Sequence, residues 1–204
     1  MEVKKTIRPN TIIYEKLFTL PNYQHHKIGI SATVDSYENL GEAFLHLRKI
    51  VEGIHIQFRL LDIFQGAKFD FHGELIETQR SIRQKKVEIK EKEKQIKTLK
   101  QEKILPIQEK IKEGKIGTTD PKYIEAVLEL KSLENALQYD IKLVTEDTHR
   151  AEELKERIET INKAMEKIKK ALTENRVILP IKIPLNKHIG PMEALNLAKK
   201  ILDT

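Results

Sequence analysis

Leu130, Leu137, Val144, Ala151, Ile158, Met165 and Leu172 stand seven residues apart without a break. An α-helix turns once every 3.6 residues, so a seven-residue apolar period draws a seam along one side of a helix and asks for another helix to cover it. Leu133, Leu154, Ile161 and Ile168 add the alternate positions of that seam. The spacing predicts one long helix. Asp120 is placed to cap its start and Pro121 to take its first helical position.

A second heptad series precedes it. Leu75, Ile82, Ile89 and Ile96 share the same period, with Ile76, Val87 and Leu99 beside them. The alternate positions are read as Gln79, Lys86 and Glu93, which makes this seam narrow. Pro106 is expected to kink the helix or end its regular part, because it removes a donor and crowds the preceding turn. Gly114 to Pro121 reads as the turn between the two helices, which most simply fold back as an antiparallel coiled-coil hairpin. Residues 80–115 hold thirteen Lys/Arg against six Asp/Glu, and 121–175 hold ten against twelve, so the arms attract each other. The narrow seam leaves room for a partner, and a homo-oligomer through the coiled coil is expected.

The chain ends read differently. Thr11 to Leu20 alternates with period two, Pro21-Asn22 breaks the run, and Ile28 to Val34 alternates again. Leu40, Phe44, Leu47, Val51, Ile54, Phe58 and Leu61 then step by four and three, predicting a helix from about Tyr37 to Phe64 with Asp35-Ser36 at its cap. Between Gly66 and Gly73, the alternation of Phe69 and Phe71 leaves two readings open, a short strand or a kinked passage between helices. Val177 to Leu185 is strand-like with two prolines, as at a sheet edge. Gly190-Pro191 opens a last helix with Leu195, Ala198, Ile201 and Leu202 on its apolar face. The expected class is α+β: a strand–strand–helix head built from both chain ends, with the coiled-coil hairpin inserted. The expected divisions are 1–72, 73–175 and 176–204.

Composition narrows the function classes. Apolar residues make up 39% and charged residues 33%, against about 45–50% and about 25% in ordinary domains. That balance suits long solvated helices. Cys is absent, so neither a disulfide framework nor a thiolate metal site is available, and a cytoplasmic location is expected. The opening MEVKKTIRPN has no apolar core of a signal peptide. No run approaches about 18 uncharged apolar residues, so no membrane contact is expected. No Ser/His/Asp or paired-carboxylate arrangement emerges, and the chain is expected not to be an enzyme and to carry no cofactor. GKIGTTDP lacks the order of a phosphate-binding loop. His25-His26 lack partners at metal-ligand spacing, so no metal is expected.

Two clusters remain. In the hairpin, Tyr14, Lys16 and Phe18 share one strand face, with Tyr23, His25, His26 and Lys27 at and after the turn. Aromatic rings interleaved with cations suit single-stranded nucleic acid, where bases stack and ammonium groups neutralise phosphate. The competing reading makes Tyr14 and Phe18 core residues facing the helix, because a two-layer fold must bury one strand face. The second cluster is the basic run on the first arm, Arg80, Arg83, Lys85, Lys86, Lys90, Lys92, Lys94, Lys97, Lys100 and Lys103. Arg83, Lys86 and Lys90 are taken as its nucleic-acid contacts. Its competing reading is a solvated helix face held by i,i+4 ion pairs such as Glu88–Lys92.

The pattern Tyr14-Glu15-Lys16-x-Phe18-x-Leu20-x-Asn22-Tyr23-x-x-x-Lys27-Ile28-Gly29, followed by an amphipathic helix, resembles a module of small phage and prokaryotic proteins. The resemblance covers about the first 55 residues and departs at Pro21, where the relatives tend to carry Gly. It implies a strand–turn–strand–helix module and a role in nucleic-acid transactions of mobile elements. The expected function is non-enzymatic nucleic-acid binding, foremost of single-stranded DNA, in phage or mobile-element replication. The alternative is a coiled-coil scaffold or inhibitor that grips a protein partner.

Overall fold

The computed structural model describes residues 11–19, 25–34, 40–174, 176–178 and 188–204. The chain is mostly helical, with one small antiparallel sheet. The elements are β1 (Ile12–Thr19), β2 (His25–Ala32), α1 (Leu40–Leu99), a π-helical turn (Lys100–Ile104), α2 (Leu105–Lys112), α3 (Pro121–Thr173) and α4 (Pro191–Leu202). They divide into two compact units: residues 1–70 with 157–204, and residues 71–156.

In the first unit β1 and β2 pair with Tyr14 opposite Ile30 and Phe18 opposite His26. Period two sends Tyr14, Lys16 and Phe18 to the face that meets α1, where Phe44, Glu52 and His55 receive them. Ile13 and Leu17, on the other face, are 66% and 62% exposed. Phe64 and Leu60 of α1, Ile161 and Ile168 of α3, and Ala194 and Ile201 of α4 are fully buried in the same unit. Pro191 opens α4 at a position whose N–H would be unpaired in any helix. Gly53 of α1 is buried, and a Cβ there would run into the Val177 methyl groups. Val177 and Ile178 belong to no strand, and the rest of the expected edge strand through Leu185 lies outside the described residues. Pro21-Asn22 and the Asp35-Ser36 cap also lie outside them.

Neither reading of the Gly66–Gly73 stretch holds. α1 runs through it as continuous helix. Leu60, Phe64, Ala67, Phe71, Leu75 and Thr78 are all buried, and their steps of three and four are the helical period. Phe69 is 77% exposed, so its alternation with Phe71 carries no strand signal. Each helical glycine costs about 1 kcal/mol relative to alanine, while burying Phe71 returns about 1.5–3 kcal/mol.

In the second unit α1 and α3 run antiparallel, because partners rise along one helix as they fall along the other. Lys85 pairs with Asp147 at 2.9 Å, Lys92 with Asp140, and Lys103 with Glu129 at 2.9 Å. This register corrects the alternate positions on α1. They are Thr78, Lys85, Lys92 and Leu99, three residues beyond Leu75, Ile82, Ile89 and Ile96. Lys86 and Glu93 are exposed instead, and Gln79 is half-buried. On α3 the matching positions Asp140 and Asp147 fill the gaps between Leu133 and Leu154. Polar residues therefore occupy the facing surfaces as matched charge pairs.

Pro106 acts as expected, through a specific device. The regular helix ends at Leu99, a π-helical turn follows, and the Leu105 N–H reaches back five residues to the Lys100 carbonyl. The wider turn makes room for the proline ring. α2 ends in a Schellman motif: the Gly114 N–H donates to the Ile111 carbonyl and the Lys115 N–H to the Lys110 carbonyl, with Gly114 at φ +72°. Asp120 caps α3, its carboxylate accepting from the Lys122 N–H at 2.9 Å.

Candidate nucleic-acid interface

The described rings of the β1–β2 hairpin meet α1. The Phe18 ring is buried and stacks on His55, with centroids 3.8 Å apart and planes 9° from parallel. Tyr14 meets Phe44 edge-on at 5.2 Å and is half-buried. The Lys16 ammonium lies over the Phe18 ring at 5.1 Å and donates to Glu52 at 3.1 Å. Lys16, and then Arg48, holds the Glu52 carboxyl below the ordinary carboxylate range. These rings and this cation are thus engaged with α1, as in the core reading of the strand face. Lys27 is exposed and pairs with Glu15 at 2.6 Å. Tyr23 and the side chains of His25 and His26 lie outside the described residues.

The arm is different. Nine of the ten basic residues of the run, all but the exposed Arg80, sort into two sets by helical position. Lys85, Lys92, Lys100 and Lys103 reach across to Asp147, Asp140, Glu134 and Glu129 of α3. The expected Glu88–Lys92 pair is not formed, since Lys92 crosses to Asp140 and Glu88 accepts from Gln84 at 3.1 Å. Asp147 is held below the ordinary carboxylate range, first by the hydrogen bond from Lys85 and then by that from Ser81 at 3.0 Å.

Arg83, Lys86, Lys90, Lys94 and Lys97 form the second set. All five are exposed, and among the described residues none forms an ion pair. At about 100° per residue their steps of three and four keep them within roughly 40° of one line, on the side of α1 turned away from α3. The nearest acids along this stretch sit to either side, Glu93 about 60° and Glu91 about 100° off that line. The stripe spans about 21 Å at 1.5 Å per residue. Arg83, Lys86 and Lys90, singled out from the sequence, belong to it. Lys94 and Lys97 belong equally and were recoverable from the same period.

This arrangement costs the helix something. Lys86–Lys90 and Lys90–Lys94 are like charges four residues apart, each destabilising by about 0.2–0.5 kcal/mol. A helix selected only for stability would intersperse acids there; on the side facing α3 the cations are met instead by acids of α3. Tyr139 of α3, 63% exposed, is an aromatic ring in the same unit that sequence reasoning passed over. Lys142 stands three residues on, one helical turn away.

Among the described residues no group of three or more His, Cys, Asp or Glu side chains is placed to hold a metal ion. A groove of about 790 Å3 between α1 and α3 has Leu99 and Leu133 in its lining and the paired Lys103 and Glu129 beside them. Among the described residues no helix is long and apolar enough to cross a membrane. No protein-family model, curated protein or solved structure matches the chain.

Proposed function

We propose that the chain is a non-enzymatic nucleic-acid-binding protein that takes single-stranded DNA along α1. In this reading α1 and α3 form an antiparallel coiled-coil hairpin carried by a strand–strand–helix head. The hairpin's outer face is the contact surface. One observation carries the proposal: five exposed cations without ion-pair partners share one line of α1, with Glu93 at its margin, while their neighbours in the same run are neutralised by α3. A row of ammonium and guanidinium groups fits a phosphate backbone and releases its counterions. An exposed ring stacks on an unpaired base for about 1–3 kcal/mol, and Tyr139 of α3 offers one on the edge of the α1–α3 pair away from the stripe. A specific observation also favours the scaffold reading: Ile124 and Leu128, four residues apart on α3, are 45% and 62% exposed.

The two readings separate in a titration of the protein against fluorescently labelled oligothymidylate at several salt concentrations. The triple variant Lys86→Gln, Lys90→Gln and Lys94→Gln is expected to flatten the slope of log K against log salt by about 2, three contacts at about 0.7 each. Wild-type protein that fails to bind at low salt, or a triple variant with the parental slope, rejects the stripe as the interface.

A further inference from the structure

We infer that a second copy of this chain packs against one face of the α1–α3 pair, the face carrying Ile82 and Ile89 of α1 with Leu130, Leu137, Ile141 and Val144 of α3. Heptad positions closed on all sides become fully buried, as Leu154 does at 0% exposure. Ile82, Ile89, Leu130, Leu137 and Val144 are only half-buried, and Ile141 is 39% exposed. They do not scatter around the pair. The Lys85–Asp147 and Lys92–Asp140 pairs mark one edge of the surface between α1 and α3. The helical period places all six apolar residues on the other edge. Two adjoining rows of half-covered aliphatic side chains are what two further helices need to complete a four-helix arrangement.

Charge selects the occupant. The α1 flank of this face carries Lys86 and Lys97 with Glu93 between them, and the α3 flank carries Glu152 and Glu134, the latter paired with Lys100 of its own chain. A two-fold face is self-complementary, so each contact occurs twice. Setting α1 of one copy against α3 of the other brings the basic flank onto the acidic flank in both halves. Lys86 and Lys97 of the cation stripe belong to this flank, while Arg83, Lys90 and Lys94 lie farther round α1 and stay open. The inference does not depend on what binds there.

The test is sedimentation equilibrium of the full chain without nucleic acid. The wild-type protein is expected to be a dimer at micromolar concentration. Ile141→Glu is expected to weaken dimerisation at least about tenfold, since dimer formation would bury an unpaired carboxylate. Its helical circular dichroism should match the parent, because residue 141 is exposed in the single copy. Tyr139→Glu, on the opposite edge, and the double variant Lys90→Gln with Lys94→Gln, beyond the flank, should both remain dimeric. A wild-type monomer up to about 100 μM, where a Kd would reflect only about 5.5 kcal/mol of association, overturns the inference. So does an Ile141→Glu protein that dimerises like the parent.

Discussion

Phe64→Ala is expected to destabilise the folded chain by about 3–5 kcal/mol, and Phe71→Ala by a similar amount, whereas Phe69→Ala should change stability by less than about 0.5 kcal/mol. Phe64 and Phe71 are 0% and 3% exposed and Phe69 is 77% exposed. Removing either buried ring leaves a cavity in addition to the lost transfer energy. Removing the exposed ring leaves water where water already was. Denaturant unfolding followed by circular dichroism measures all three. The contrast is a test of helix continuity, because a strand at 68–72 would put Phe69 and Phe71 on the same face and make both substitutions costly. Similar losses for Phe69 and Phe71 would contradict a helical α1 at this point.

That stretch marks where the sequence stopped being informative. Two aromatic residues two apart satisfy a strand period, and two glycines suggest a break. The deciding signal was the longer run of Leu60, Phe64, Ala67, Phe71 and Leu75, which keeps the helical period across both glycines. The long period on α3 was legible because seven apolar positions over six unbroken intervals leave one register. On α1 the period was legible and the alternate positions were not. Gln79, Lys86 and Glu93 are as polar as Thr78, Lys85 and Lys92, so composition alone could not choose. Pairing chose, because Lys85 and Lys92 meet Asp147 and Asp140, a match between residues 48 and 62 apart in sequence. Local chemistry was the most legible of all. Asp120, Pro121 and Pro106 act on their own backbone neighbours and need no distant partner to be understood. For the candidate interface, spacing alone placed Arg83, Lys86 and Lys90 on one face. Which cations of the run stay unpaired required the position of α3.

The charge pairs between α1 and α3 give the second large effect. Asp140 is 8% exposed and accepts from Lys92. Asp140→Ala is expected to cost about 1–3 kcal/mol, because it strands a half-buried ammonium without its acceptor. Replacing both partners, Lys92→Met with Asp140→Leu, should recover most of that loss, since an apolar pair of similar volume is often neutral or stabilising. A single variant as stable as the parent would mean that the pair does not form. Acid should expose the neighbouring pair. Lys85 lowers the folded-state value of Asp147 below that of an unfolded aspartate, about 3.9. Its contribution is therefore complete above the unfolded value and lost as the pH falls through the folded one. Asp147→Asn should flatten the stability profile in that acid window and leave its shape near neutrality unchanged. An unchanged acid limb would remove Asp147 as its source.

Lysine acetylation footprinting, with and without a short oligothymidylate, most directly asks whether the outer line of α1 is a nucleic-acid interface. Lys86, Lys90, Lys94 and Lys97 are expected to lose reactivity together when the strand binds, and to regain it as salt is raised. Lys163, exposed on α3 and paired with Glu159, should react alike in both states. Bound strand with Lys86 to Lys97 fully reactive, or protection confined to Lys27 of the hairpin, would contradict the assignment of the interface to α1.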